Sequence, residues 1–279
     1  MNRRRTPRSA SAEDLLSTLQ HLTARARQEV ELHQARVELA GALQRKMLPA
    51  ALPSLPGLQI AARYAPARDG LDIGGDWYDA FLLPDGSLGM AIGDVQGHDV
   101  EAAAFMGQIR IAMRAIAITA TDPGEVMGRT NDLILSVDSS LFATCSFFRL
   151  DPLTGDLQSA RAGHVASVWA TADGRSGITA DAGGLPLGIE ARQHYAVTRR
   201  SLAVDGSLVL LTDGVVEGPS LSIGDGLERV RHLASSHVGA TAEELADRVL
   251  RAGELTGHED DVAVLVLRHE SAPCGRQET

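Results

Sequence analysis

Two rhythms divide this chain. Between residues 13 and 48 the apolar positions Leu15, Leu19, Leu22, Ala26, Val30, Val37, Ala40 and Met47 recur mostly at steps of three or four or their multiples. That spacing lays a stripe along one long helix. A thin, Ala-containing stripe suits either a coiled-coil dimer or packing on the chain's own domain. Pro49, Pro53 and Pro56 end the helix, and LPAALPSLPG reads as an extended connector. From Leu58 the rhythm shortens. Apolar runs predict strands over 58–65, 77–83, 88–94, 142–150, 156–161, 165–171, 207–212 and 261–268. The turns PDGS, DPLTGD, ADGR and VDGS separate several of them as hairpins. Helical spacing is interleaved over about 99–119, 123–138, 225–236 and 241–254. Hairpins with grouped helices predict an α+β layered domain with mostly antiparallel sheets. The divisions expected are a disordered basic tail at 1–12, the helix at 13–48, a connector at 49–57, a folded domain at 58–269 and a disordered tail at 270–279.

Composition narrows the classes. With 279 residues, 44% of them hydrophobic, the chain can bury a substantial core. A net charge of -10 and a pI near 5.3 argue against nucleic acid and anionic membranes as partners. The basic start MNRRRTPR is followed by no apolar run, so it predicts neither a signal peptide nor an anchor. No stretch approaches the roughly 18 apolar residues of a membrane span. Cys145 lies in the apolar run LFATCSFFRL and is expected in the core, while Cys274 lies in a polar tail. Two such cysteines make no disulfide framework, and a reduced, cytoplasmic setting fits.

The chemistry gathers where carboxylates meet strands. Asp94 closes the run GMAIGD, Asp76 follows two glycines in DIGGDWYD, and Asp213 ends the most apolar strand in GSLVLLTDG. Asp260 and Asp261 open the last strand in HEDDVAVLVLR. Each alone reads as a turn or cap residue. Together they suggest a shared cavity, where they would repel unless a hard cation such as Mg²⁺ or Mn²⁺ lay between them. A pair of ions about 3.5–4 Å apart would make a phosphoryl-transfer site.

The blocks IGGDWYD, IGDVQGH, ARAGH, GLPLG, LVLLTDGVVEG and EDDVAVLVL occur in the order seen in bacterial metal-dependent serine phosphatases. Over roughly residues 52–269 the chain resembles the RsbU and SpoIIE branch of the PPM superfamily. The resemblance implies two packed antiparallel sheets flanked by helices, with a two-ion Mn²⁺ or Mg²⁺ site at one end. A helix ending in a motif like LQRKMLP also resembles this branch, where it links sensor modules to the phosphatase. The implied catalytic set is Asp76, Asp94 and Asp213, with the Val95 carbonyl as a further ligand and Asp260 completing the second ion's shell. The sequence does not separate Asp260 from its neighbour Asp261. Gly75, Gly97, His98, His164 and Gly214 would support or shape the loops.

Some positions depart from the pattern. Asp99 stands where the family often has Gly; it could cap the following helix or serve a third metal or the substrate. Gln96 occupies the place of a His in the eukaryotic cousins, and His98 is off register. Val165 and Ala166 follow His164 where prolines are common. The implied function is hydrolysis of a protein phosphoserine or phosphothreonine by water activated at two ions. The implied substrate is a phosphorylated anti-sigma-factor antagonist of the STAS type. A homodimer through 13–48 and an upstream sensor or activator would regulate it. Two rival readings are a module that binds the same partner without turnover and a metal-stabilised structural β domain.

Overall fold

Strands that are apolar at every position must be covered on both faces, and this governs the architecture. The computed structural model describes residues 12–66, 74–97, 99–137, 140–179, 181–253 and 260–270. One sheet runs β1 (Leu58–Ala65), β11 (Val262–His269), β10 (Gly206–Leu211), β6 (Val168–Thr171), β7 (Ser176–Ile178). The other runs β2 (Trp77–Leu82), β3 (Leu88–Val95), β4 (Ala143–Leu150), β5 (Asp156–Ala162), β8 (Gly183–Gly184), with β9 (Thr198–Ser201) also paired to β5. All these pairings are antiparallel except β5 with β8.

Alternation along each strand sorts side chains between layers. Leu88, Met90 and Ile92 of β3 meet Leu208 and Leu210 of β10 and Ala263, Leu265 and Leu267 of β11 between the sheets. The other phase of β10 and β11, including Val209, Leu211, Val264 and Val266, packs beneath α4 (Ile223–Ser236) and α5 (Ala242–Gly253). The outer face of the second sheet, with Trp77, Phe81 and Phe147, lies under α2 (Val100–Ala117) and α3 (Pro123–Leu135). The layers are therefore helix, sheet, sheet, helix, as the α+β expectation requires. Cys145 is buried among the helix-facing residues.

Three differences from expectation have local causes. The strand expected over 165–171 begins only at Val168; residues 165–167 form a loop, pinned where Ser167 N donates to Thr179 Oγ1 at 3.0 Å. The strands β7, β8 and β9 escape a pattern search because they hold two to four residues each. After β10 the chain makes a single helical turn, Asp213–Val215, rather than a plain loop.

α1 (Ala12–Met47) is continuous, and its described stripe residues up to Val30 are exposed. Leu19, Leu22 and Val30 are 59%, 57% and 56% exposed. Toward its end it meets the domain: the Met47 side chain lies against Gly107 of α2, and Leu48 joins the core beneath that helix. Leu15, Val37, Ala40, His98 and Cys274 fall outside the described residues or side chains. Among the described residues, no helix is long and apolar enough to cross a membrane.

Candidate metal centre

The same alternation that builds the inter-sheet core delivers the carboxylates. Asp94 is two residues beyond Ile92 on β3, in phase with Leu88 and Met90, so it follows the inward-facing row. Thr212 continues the inward row of Leu208 and Leu210, and Asp261 precedes Ala263 in the inward row of β11. Asp76 precedes β2 in phase with inward-facing Ala80. One sheet thus supplies Asp76 and Asp94, and the other supplies Thr212, Asp213, Asp260 and Asp261. All stand at strand ends on one edge of the sandwich.

Glycines allow the approach. A Cβ on Gly75 would lie 2.2 Å from the Val95 carbonyl oxygen, and one on Gly214 would lie 2.1 Å from the Asp261 carbonyl oxygen. Val95 N donates to Gly75 O at 3.2 Å, holding the Asp76 loop against the end of β3. Gly97 turns the chain after Val95 with a φ of 100°. Asp99 is the N-cap of α2: its Oδ1 accepts from Ala102 N at 2.9 Å.

The electrostatics are those of a crowded anionic pocket. Asp76 is 2% exposed and accepts a hydrogen bond from Thr212 Oγ1 at 2.7 Å. Burial first, then the charges of Asp94 and Asp261, push its carboxyl well above the usual range. Asp94 is pushed up to about 8, first by burial and then by Asp213 and Asp260. Asp213 is raised too, by burial and then by Asp260. Arg110–Asp79 and Arg200–Asp181 are ion pairs at other places in the fold. Buried carboxyls that raise one another in this way are costly to ionise together, and all-oxygen donors suit Mg²⁺ or Mn²⁺. Among the described residues no group of three or more acidic, His or Cys side chains lies close enough together to hold a metal ion as it stands.

Asp261 is 3% exposed and Asp260 is exposed, its Oδ1 accepting from Asp261 N at 2.8 Å. The charge of Asp260 nevertheless acts on Asp94 and Asp213, while that of Asp261 acts on Asp76 and Asp94. His164 is buried at the side of the cluster, its Nδ1 2.8 Å from Thr144 Oγ1. Burial holds its imidazole down to about 3, so it is neutral at pH 7. Thr144 pairs directly with Asp94 across β3 and β4. Sequence reading missed Thr212 and Thr144. Thr212 was readable from its phase with Leu208 and Leu210, whereas Thr144 needed the strand register.

These shifts give a prediction. A carboxyl whose folded pKa exceeds its unfolded value of about 3.9 contributes stability at low pH that is lost as pH rises through the folded value. For Asp94 that window runs from about 4 to about 8. The metal-free protein should therefore melt at falling temperature between about pH 4 and about pH 8 and level off above that. Mn²⁺ should raise melting more at the alkaline end, by roughly 2.7 kcal/mol at a hundredfold excess over Kd. Melting curves indifferent to both pH and Mn²⁺ would remove the cation site.

Comparison with known proteins places the fold in a family. Residues 84–270 match the family model of Stage II sporulation protein E (SpoIIE). The chain is 28% identical over 259 residues to phosphoserine phosphatase RsbU of Bacillus subtilis (strain 168), covering 90% of this chain and 74% of RsbU. It superposes on the RsbU and RsbW domains of Rv1364c from Mycobacterium tuberculosis with a TM-score of 0.71 and 31% identity, over 82% of this chain and 64% of that one, just under two thirds. The fold is also that of the catalytic domain of the serine threonine protein phosphatase PstP in complex with 2 manganese ions, with a TM-score of 0.58 and 15% identity over 76% and 98% of the two chains. Sheet order, the carboxylate edge and these likenesses converge: the chain belongs to the SpoIIE family of PP2C-type serine/threonine phosphatases.

Proposed function

We propose that the chain hydrolyses a phosphoserine or phosphothreonine on a partner protein, with two Mn²⁺ or Mg²⁺ held by Asp76, Asp94, Asp213, Asp260 and the Val95 carbonyl. Bound ions would supply Lewis acidity toward water and the phosphoryl oxygens. The protein's own contribution is placement. The inter-sheet phase of β3 fixes the direction of Asp94, and the Thr212 hydroxyl holds Asp76. Asp260, whose charge reaches Asp94 and Asp213, serves as the ligand; Asp261, buried beneath it, braces the loop. The carrying observation is the gathering of buried carboxylates from both sheets at one edge. The intact set favours turnover over binding alone. A STAS-type phosphorylated antagonist of an anti-sigma factor, in the cytoplasm, is the substrate that kinship with RsbU supports. Mn²⁺-dependent release of phosphate from an aryl phosphate and from a phosphoserine protein tests the reading. Binding of the phosphoprotein without release would favour the non-catalytic alternative.

The exposed stripe of α1 is read as a dimerisation and control element. Gly41, Met47 and Leu48 are wholly or partly buried, so a truncation should stop before them. Deleting residues 1–40 is expected to halve the mass in solution and change turnover. An unchanged mass would end the dimer reading, and unchanged turnover the regulatory one.

A further inference from the structure

Beside the carboxylate edge lies a cleft of about 290 Å³ that the proposed chemistry leaves unused. Asp213 forms one wall, so the cleft opens directly onto the reaction site. The loop Gly163–Ala166 forms a second wall, Ile223 and Leu227 of α4 a third, and Thr144 with Arg161 the floor. An arginine next to a phosphatase site invites the reading of a phosphate clamp, but both terminal nitrogens of this one are engaged, and only its buried Nε has no hydrogen-bond partner. Arg161 Nη1 donates to the His164 carbonyl at 2.7 Å, and Nη2 to the Asp181 carbonyl at 2.8 Å. The Thr144 hydroxyl is likewise occupied by the His164 ring. The polar groups of the floor therefore point at the loop and fix its shape.

Away from Asp213 much of the remaining lining is aliphatic, from Val165, Ala166, Ile223 and Leu227. Val165 and Ala166 present their methyl groups at the positions where the related phosphatases commonly carry prolines. Ile223 sits at the rim, 39% exposed, on the first turn of α4. A preformed apolar recess with a few convergent polar atoms is a binding site in form, and its continuity with the carboxylate edge says which molecule reaches it. We infer that this cleft is a specificity subsite that receives an aliphatic side chain flanking the phosphorylated residue of the protein substrate. The inference rests on the phosphatase reading above and adds the substrate's local chemistry. The chain's net charge of -10 accords with recognition of a neutral rather than an acidic flank.

The test compares phosphoserine peptides that carry Leu or Asp at each position flanking the phosphoserine, using the full chain with Mn²⁺. Leu is expected to be preferred at one flank by about tenfold or more in kcat/KM, the size of effect that an apolar pocket gives. Ile223→Glu should collapse the preference to about twofold or less, and Ile223→Ala should reduce it partway, with both variants melting as a folded domain. Turnover of p-nitrophenyl phosphate, which has no flank, should fall less than turnover of the Leu peptide in both variants. Ile111→Glu, at an exposed site on α2 outside the cleft, should keep the preference. Absence of any flank preference in the wild type, or a preference that survives Ile223→Glu, overturns the subsite while leaving the phosphatase standing. Absence of any turnover of aryl phosphate overturns both.

Discussion

Asp94→Asn is expected to lower phosphatase turnover by on the order of 10²–10³-fold, the cost of losing one group that organises charge at a reaction centre, while leaving the protein folded. Asn keeps the size of Asp but removes the charge that would hold a cation. Metal affinity should fall, and the Mn²⁺-induced rise in melting temperature should shrink. In the metal-free state the substitution relieves repulsion, because the charges raising Asp94 are those of Asp213, Asp260 and Asp261. The mutant without metal should therefore melt at or above the wild type measured the same way. Turnover at the wild-type level would refute the role. A large loss of metal-free stability would instead reveal a cationic partner.

Asp79→Asn should do the reverse. Asp79 lies fifteen positions before Asp94, in the opposite phase of its sheet, and faces α2 instead of the carboxylate edge. It is 1% exposed and accepts from Arg110 Nη1 at 2.9 Å and Arg114 Nη2 at 3.1 Å. Burial pushes its carboxyl up and the two guanidiniums pull it back. Arg110 is itself only 9% exposed, so removing the carboxylate charge leaves a buried cation unpaired. Arg114, stacked over the Phe81 ring and more exposed, can turn to water. The expected loss is about 3 kcal/mol, or roughly 6–12 °C in Tm for a domain of this size. Turnover per folded molecule should change little by comparison. A neutral effect on melting would mean that Arg110 finds another partner. The two aspartates, chemically identical, separate a site from a brace by the sign of their effect on stability.

The contrast also marks where sequence reading reaches. The row Leu88, Met90, Ile92, Asp94 can be followed by eye, and its phase carries Asp94 to the inter-sheet face before any coordinates are known. The same counting applies to Leu208, Leu210 and Thr212. Glycines next to Asp76 and Asp213 announce close approach of backbones, and Gly75 and Gly214 supply it. Asp79 gave no such signal. Its partners lie 31 and 35 residues away on a helix, and only the packing of α2 on β2 brings them together. Thr144 and His164 meet for a similar reason, twenty residues apart. The short strand β9, TRRS, is polar at every position and exists because β5 offers it an edge. Periodicity sees what one strand does alone; it does not see what a neighbour imposes.

The division of the carboxylates between two sheets has a mechanical consequence. Asp76 and Asp94 belong to one sheet, and Asp213 and Asp260 to the other. A cation bound among them would rivet two layers that otherwise touch through aliphatic side chains, which resist sliding far less than they resist separation. Shear of one layer by a fraction of an ångström would alter the spacing of the ligands, and the ion in turn would resist that shear. Amide exchange at the ends of β3 and β10 should therefore slow together when Mn²⁺ is added, although they belong to different sheets. Any partner that leans on one layer from outside then has a route to the reaction centre without touching it.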